Sequence, residues 1–337
     1  MTKLTKTRSS AWVRAASCAL LAGSFVFVLV PASAQAQGGR HAVLVEGASG
    51  GPQYATLHRG WLDRMAALLV DRFGFDREMV TVLAERPAAG EQRATAEAAR
   101  TVFGRLQGGL APDDLIFVMF IGHGSGAGAD AKFNLVGPDL TAAEWKGLLD
   151  PIPGRMVVVD TTSASFGFLG TLSEPGRVVI TATNTPAQRY HTMFAGAFID
   201  ALADEAADQD QNGRVSMLEA FTHASRLVGQ HYEQAGTLAT EHALLDDTGD
   251  GEGRLAGAEG DDGAVAEATF LDTYVAPTSS DPETQKLLLR QQDLTEQMDA
   301  LKRRRPTMTA EEYDREFERL ATELALVSRE IRRRGGG

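Results

Sequence analysis

Between residues 40 and 183 short apolar runs alternate with amphipathic stretches. His41-Ala42-Val43-Leu44-Val45, Val80-Thr81-Val82-Leu83, Leu115 to Ile121, Met156 to Val159 and Arg177 to Thr183 read as strands. The Leu115 to Ile121 run contains no polar residue, the mark of a parallel strand covered on both faces. Between the first two runs, Leu57, Trp61, Met65, Leu68 and Leu69 recur at helical spacing and predict a helix over Tyr54 to Phe73. Further helices are expected over Glu91 to Leu106, Thr141 to Leu149, Met193 to Ala206 and Met217 to Gln230, with a small edge strand at Phe133 to Val136. Thr141 with Glu144 three residues on forms a capping-box pattern. Strands alternating with helices at this spacing imply a mainly parallel sheet with helices on both faces. Gly249 to Asp262 carries glycine and acid without a period and reads as a surface loop.

Residues 281–334 carry a different pattern. Leu287, Leu294 and Leu301 recur every seven, with Met298 between the last two, and Tyr313, Phe317, Leu320, Leu324, Val327 and Ile331 follow in steps of four and three. This is a coiled-coil seam. It breaks at Arg303-Arg304-Arg305-Pro306 and restarts at Thr309 with Glu312, so two antiparallel helices joined at Pro306 are expected, with self-association through 281–334.

The amino terminus changes the picture of compartment. Lys3, Lys6, Arg8 and Arg14 precede an apolar stretch from about Ala15 to Val30, and Pro31 to Gln37 follows with small residues. That order describes a cleaved signal peptide over 1–36, with cleavage after Ala34 or Ala36, and hence a secreted or periplasmic product free of the membrane. Cys18, the one cysteine of the chain, lies inside that leader. The mature chain therefore offers no disulfide, thiolate metal site or cysteine nucleophile. Net charge is −12 over 337 residues. Residues 200–262 hold 15 acidic and 3 basic groups, whereas 281–337 are balanced at 12 of each. The balance disfavours nucleic acid and anionic membranes and favours cations. The resulting division is a leader at 1–36, an α/β domain at 38–275 and a helical hairpin at 276–337.

Two strand ends carry candidate chemistry. Leu115 to Ile121 runs into Gly122-His123-Gly124-Ser125, and Met156 to Val159 runs into Asp160-Thr161-Thr162-Ser163-Ala164-Ser165. Open α/β sheets bind ligands outside the carboxyl ends of their strands. A dinucleotide loop does not fit, because no helix opens after Gly122-x-Gly124-x-Gly126-x-Gly128, and Ser125 lacks the glycine two places before it that a nucleophile elbow requires. The layout resembles the legumain-type and caspase-type cysteine peptidases of clan CD, over roughly residues 40 to 235. The resemblance implies a caspase-like three-layer sandwich, with His123 as the histidine, Gly124 as the glycine after it, Thr162 in the nucleophile's place and Ser49 where legumains hold an asparagine. A threonine hydroxyl ionises far higher than a thiol and needs a well-placed base. The expectation is a non-catalytic relative whose cleft binds a peptide or protein segment. The alternatives are a hydrolase using His123 with Thr162 or Ser163, and a docking module acting through the hairpin.

Asp208-Gln209-Asp210-Gln211-Asn212-Gly213-Arg214-Val215-Ser216-Met217-Leu218-Glu219 fits the twelve-residue EF-hand loop. Oxygen ligands for Ca2+ fall at Asp208, Asp210 and Asn212, at the Arg214 carbonyl, at Ser216 directly or through water, and at Glu219. Gly213 permits the turn, and Val215 is expected to point inward. A lone loop of this kind braces a fold more readily than it senses a signal. Asp246-Asp247-Thr248-Gly249-Asp250-Gly251 imitates the opening of a second loop, but Gly257 occupies its twelfth place.

Overall fold

A computed structural model describes residues 38–274 and 277–335. The expected leader and Cys18 lie outside the described residues. Strands are β1 (Arg40–Glu46), β2 (Val80–Ala84), β3 (Gln92–Arg93), β4 (Leu115–Ile121), β5 (Gly124–Ser125), β6 (Lys132–Phe133), β7 (Leu140–Thr141), β8 (Arg155–Asp160), β9 (Val178–Thr181) and β10 (Leu244–Asp246). Helices are α1 (Pro52–Ala67), α2 (Ala96–Gly109), α3 (Ala142–Leu149), α4 (Phe166–Leu172), α5 (Phe194–Ala203), α6 (Met217–Gln234), α7 (Ala264–Glu267), α8 (Pro282–Arg304) and α9 (Ala310–Gly335).

Seven strands form one sheet in the order β10-β9-β8-β4-β1-β2-β3, parallel throughout except for β10. Side chains alternate between two cores, as the period of an extended chain requires. Leu115, Phe117, Met119 and Ile121 of β4 join Leu44 and Val159 beneath α1, α5 and α6. Ile116, Val118 and Phe120 join Val43, Val45 and Val158 beneath α2, α3 and α4. All seven residues of β4 are at most 1% exposed. The result is a three-layer α/β arrangement. Burying each large apolar side chain contributes about 1.5–3 kcal/mol before entropy is charged against it.

Several elements differ from their sequence reading. The helix expected from Glu91 begins only at Ala96, because Gln92–Arg93 pair with β2 and the Thr95 side chain accepts the Ala98 amide. Glu91 instead receives both guanidinium arms of Arg59 at 2.7 Å. The strand expected at Phe133 to Val136 covers Lys132–Phe133 and belongs to a separate three-stranded sheet, β5-β6-β7. The first helix ends at Ala67 and continues as a π-helical turn, Leu68–Arg72, which keeps Leu69 buried. The Thr141–Glu144 capping box forms as expected. β10, α4 and α7 carried no signal read from the sequence.

α8 and α9 run antiparallel, with Gln291 Nε2 donating to Ser328 Oγ at 3.0 Å and Arg334 reaching Asp281 at 3.6 Å. Leu294, Met298, Leu301 and Leu320 fill the seam between them. Lys302 pairs with Glu267 at 2.8 Å and Arg303 donates to the Ala268 carbonyl at 2.7 Å, so the hairpin is fastened at α7. Among the described residues no helix is long and apolar enough to cross a membrane.

Candidate functional site

Strand order reverses between β1 and β4. From β1 the chain moves outward to β2 and β3, then returns to the other side of β1 and proceeds through β4, β8 and β9. A crevice opens at the carboxyl ends of strands where the order switches. Ser49 follows β1 at that point and His123 follows β4. The His123 imidazole is half-buried and hydrogen-bonds to the Ser49 backbone.

His123 faces a group of rings that sequence reasoning did not single out. Tyr54, His58 and Trp61 lie one turn apart along one stripe of α1, and His191 arrives on the loop between β9 and α5. The His123 ring lies 4.8 Å from Tyr54, 5.1 Å from His58 and 5.6 Å from His191, centroid to centroid. His58 Nε2 and His191 Nε2 approach to 3.4 Å, one donating and the other accepting according to tautomer. Burial holds all three imidazoles below the ordinary histidine pKa. His58 is wholly buried, and its neighbours His123 and His191 add to the effect, taking it to about 3. The group is therefore neutral at pH 7. The recurrence of Tyr54, His58 and Trp61 at i, i+4 and i+7 was the available signal.

Thr162 lies against the backbone that follows β4. A Cβ at Gly124 would meet the Thr162 hydroxyl at 2.7 Å and the Ala164 methyl at 2.6 Å, so only glycine fits there. The Thr162 Oγ1 is buried and makes no hydrogen bond of normal geometry. Among the described residues no hydrogen bond or ring contact joins His123 to Thr162. Asp160 is also buried and accepts the Thr162 amide at 2.9 Å; burial pushes its carboxyl up to about 7. Ser165 is consumed structurally, its Oγ accepting the Ala182 and Thr183 amides at 3.0 and 3.1 Å. Ser163 is half-exposed, with its Oγ 3.5 Å from the Gly124 carbonyl, beside a cleft of about 110 Å³. Of the expected site residues the structure thus brings Ser49 to His123 and Gly124 to Thr162 and Ser163. The hydroxyl of Thr162 and the imidazole of His123 do not meet.

The acidic loop folds as a tight cage. Asp208, Asp210 and Glu219 place carboxylate oxygens within 4.8 Å of one another. Asp208 accepts the Asn212 and Gly213 amides at 3.0 and 2.8 Å, and Glu219 accepts the Gln209 amide at 2.8 Å. Gln211 and Gly213 take φ of 57° and 84°, and the glycine does so without strain. Val215 enters the core, Ser216 bridges Phe270, and the Met217 amide donates to the Thr269 carbonyl at 2.9 Å. Ser216 caps α6 with Glu219, while the Arg214 guanidinium binds Asp272 at 2.8 Å and covers the Phe270 ring. Burial and the nearby Glu219 charge raise the Asp210 pKa, against the Asn212 amide, which lowers it. Three converging carboxylates on a turn of this shape suit a hard, oxygen-seeking cation.

The second acidic stretch spends its carboxylates on the backbone. Asp246 accepts the Gly249 and Gly251 amides at 2.8 and 2.7 Å, and Asp247 accepts those of Gly263 and Ala266 at 2.8 Å each. Both are buried in this role.

No family model matches the chain, and no curated protein does. Among solved structures, protein GSU0716 from Geobacter sulfurreducens is similar at 14% identity, covering 61% of this chain and 92% of its own, with a TM-score of 0.42.

Two outcomes follow from this geometry. The Asp160 carboxyl, raised by burial, contributes stability below its unfolded pKa near 4 that is lost as pH rises through about 7. Asp160→Asn cannot ionise, so its stability relative to the parent should grow between pH 4 and pH 8 in urea melts. An unchanged difference across that range refutes the assignment. For the acidic loop, calcium at a hundred times its Kd should stabilise the fold by about 2.7 kcal/mol. Thermal unfolding should therefore shift upward by several degrees, and Glu219→Gln should lose most of the shift; identical melts with calcium and with chelator rule the site out.

Proposed function

We propose that this chain is an exported protein of caspase-like or legumain-like fold that binds a peptide or protein segment at the β4–β8 edge without cutting it. The observation that carries the reading is the separation at that edge: the Thr162 hydroxyl is buried, and the His123 ring is turned to Tyr54, His58 and His191. A general base must come within hydrogen-bond reach of the proton it removes. A misplacement of about 1 Å costs about a hundredfold. His123 is neutral at pH 7 and able to accept a proton, yet the residue opposite offers none to it. In this reading Asp208, Asp210, Asn212, Ser216 and Glu219, with the Arg214 carbonyl, hold Ca2+. The ion braces the turn between α5 and α6.

Ser163 supports a second reading, a hydrolase, because its hydroxyl is half-exposed beside the cleft. The two readings separate in one experiment. Incubated with a diverse peptide library, the purified protein should leave the peptides intact, and a fluorophosphonate probe should not label it. Cleavage lost in His123→Ala, with labelling lost in Ser163→Ala, would establish the hydrolase instead.

The hairpin is assigned to self-association, supported by Leu289, Phe317 and Leu326, which remain 54%, 38% and 50% exposed. Light scattering of the full chain should give a multiple of the monomer mass that Leu289→Ser with Leu326→Ser reduces. A monomeric mass for the unsubstituted chain ends this assignment.

A further inference from the structure

Three of the chain's seven histidines, His58, His123 and His191, converge from α1, the end of β4 and the loop before α5. Their ring centres stand 5.1, 5.6 and 5.6 Å apart, pair by pair. The His58 and His191 Nε2 atoms approach to 3.4 Å, with ring planes within 10° of parallel. His58 is wholly buried; its Nδ1 has no partner, and its Nε2 meets a second imidazole rather than a carbonyl or carboxylate. A buried polar ring so poorly partnered is costly. Stacking nonetheless holds the pair in place. Trp61 lies 5.6 Å from His58 and 5.8 Å from His191, and Tyr54 lies 4.7 Å from His191. A Cβ at Gly196 would meet the Trp61 Nε1 at 2.7 Å, so the glycine is what admits the indole.

We propose that these three imidazoles form a site for a divalent cation of the zinc class, separate from the acidic turn. Two nitrogens on a tetrahedral ion, each at about 2.0–2.1 Å from it, stand about 3.3–3.4 Å from one another. The His58–His191 pair already has that spacing. Imidazoles sharing such an ion set their ring centres roughly 5 Å apart, close to all three distances found here. His123 completes the set by a turn of its side chain, since among the described residues only the acidic turn gathers three ligand atoms within 4.8 Å of one another as it stands. Room for that turn lies beside Gly50, where an added Cβ, its chain neighbours aside, would meet only the His123 Cδ2, at 3.9 Å. Imidazole nitrogen suits zinc, copper and nickel, whereas carboxylate oxygen suits calcium, so the two sites take different ions. Burial keeps all three rings neutral at pH 7, and the ion displaces no net proton there. Three protein donors leave the fourth corner to water. An ion so held occupies the lone pair that His123 would need as a base, and it ties α1 to the end of β4 and to the loop before α5.

The inference stands whether or not the cleft takes a peptide, and Co2+ tests it as a visible substitute for zinc. Added to the full chain in a large excess of calcium, Co2+ should bind at one per chain and give the intense visible bands of a four-coordinate ion. His191→Gln and His123→Gln, both at half-buried positions, should each weaken binding by at least about tenfold, and Glu219→Gln should leave it unchanged. Proton NMR of the unsubstituted cobalt-loaded chain needs no folded variant: three imidazoles should show hyperfine-shifted signals. Absence of Co2+ binding in excess calcium overturns the inference. So does binding that Glu219→Gln abolishes and the histidine variants keep, which places the ion in the acidic turn. Weak six-coordinate bands, or shifted signals from two imidazoles or fewer, overturn it as well.

Discussion

One close approach governs the edge of the sheet. Where the chain leaves β4, its backbone at Gly124 presses against Thr162 and Ala164 with no room for a side chain. The His123 imidazole, one residue earlier, lies against Tyr54, His58 and His191. The Thr162 hydroxyl, packed against Gly124, has no hydrogen-bond partner, so no hydrogen bond joins the would-be base to the would-be nucleophile. Neighbouring hydrogen bonds hold this edge together. Thr192 donates its hydroxyl to the Thr161 carbonyl, and Glu241 accepts the Met193 and Phe194 amides at 2.8 and 3.0 Å, fixing the segment that carries His191.

Much of the architecture was legible because its strands are buried on both faces. A run such as Leu115 to Ile121 has no solvent face to advertise, so its continuous apolar character identifies it. The parallel arrangement followed from the helices between the runs. What escaped has short-range causes. α4 begins directly after the Thr162 loop, and Phe166-Gly167-Phe168-Leu169-Gly170 shows no helical period in so few residues. β10 has three residues and runs antiparallel, and its last residue, Asp246, and the Asp247 that follows it turn back onto backbone amides. The helix expected from Glu91 started late because a side chain cap at Thr95 and a strand pairing at Gln92 competed for the same residues.

The candidate site was legible in pieces. His123, Thr162 and Ser49 could be placed at strand ends from their position after apolar runs, and the acidic turn from the spacing of its oxygens. The relation between the pieces could not. Whether two side chains at neighbouring strand ends face each other depends on one residue of phase in an irregular loop, and no periodicity reports that. The ring cluster was hidden for a related reason. His58 sits among apolar positions of an amphipathic helix, and its partners His123 and His191 lie more than sixty positions away in sequence.

The sheet's margins carry a consequence for recognition. One outer strand, β3, has two residues, and the other, β10, is already bridged by the Arg254 backbone at Leu245. Unpaired main-chain groups on an outer strand are what allow an incoming ribbon to extend a sheet. Here such a ribbon would find almost nothing to zip onto at either flank. In the proposed reading, a guest is therefore met end-on, at the tips of the strands, and its sequence matters more than its ability to lie straight.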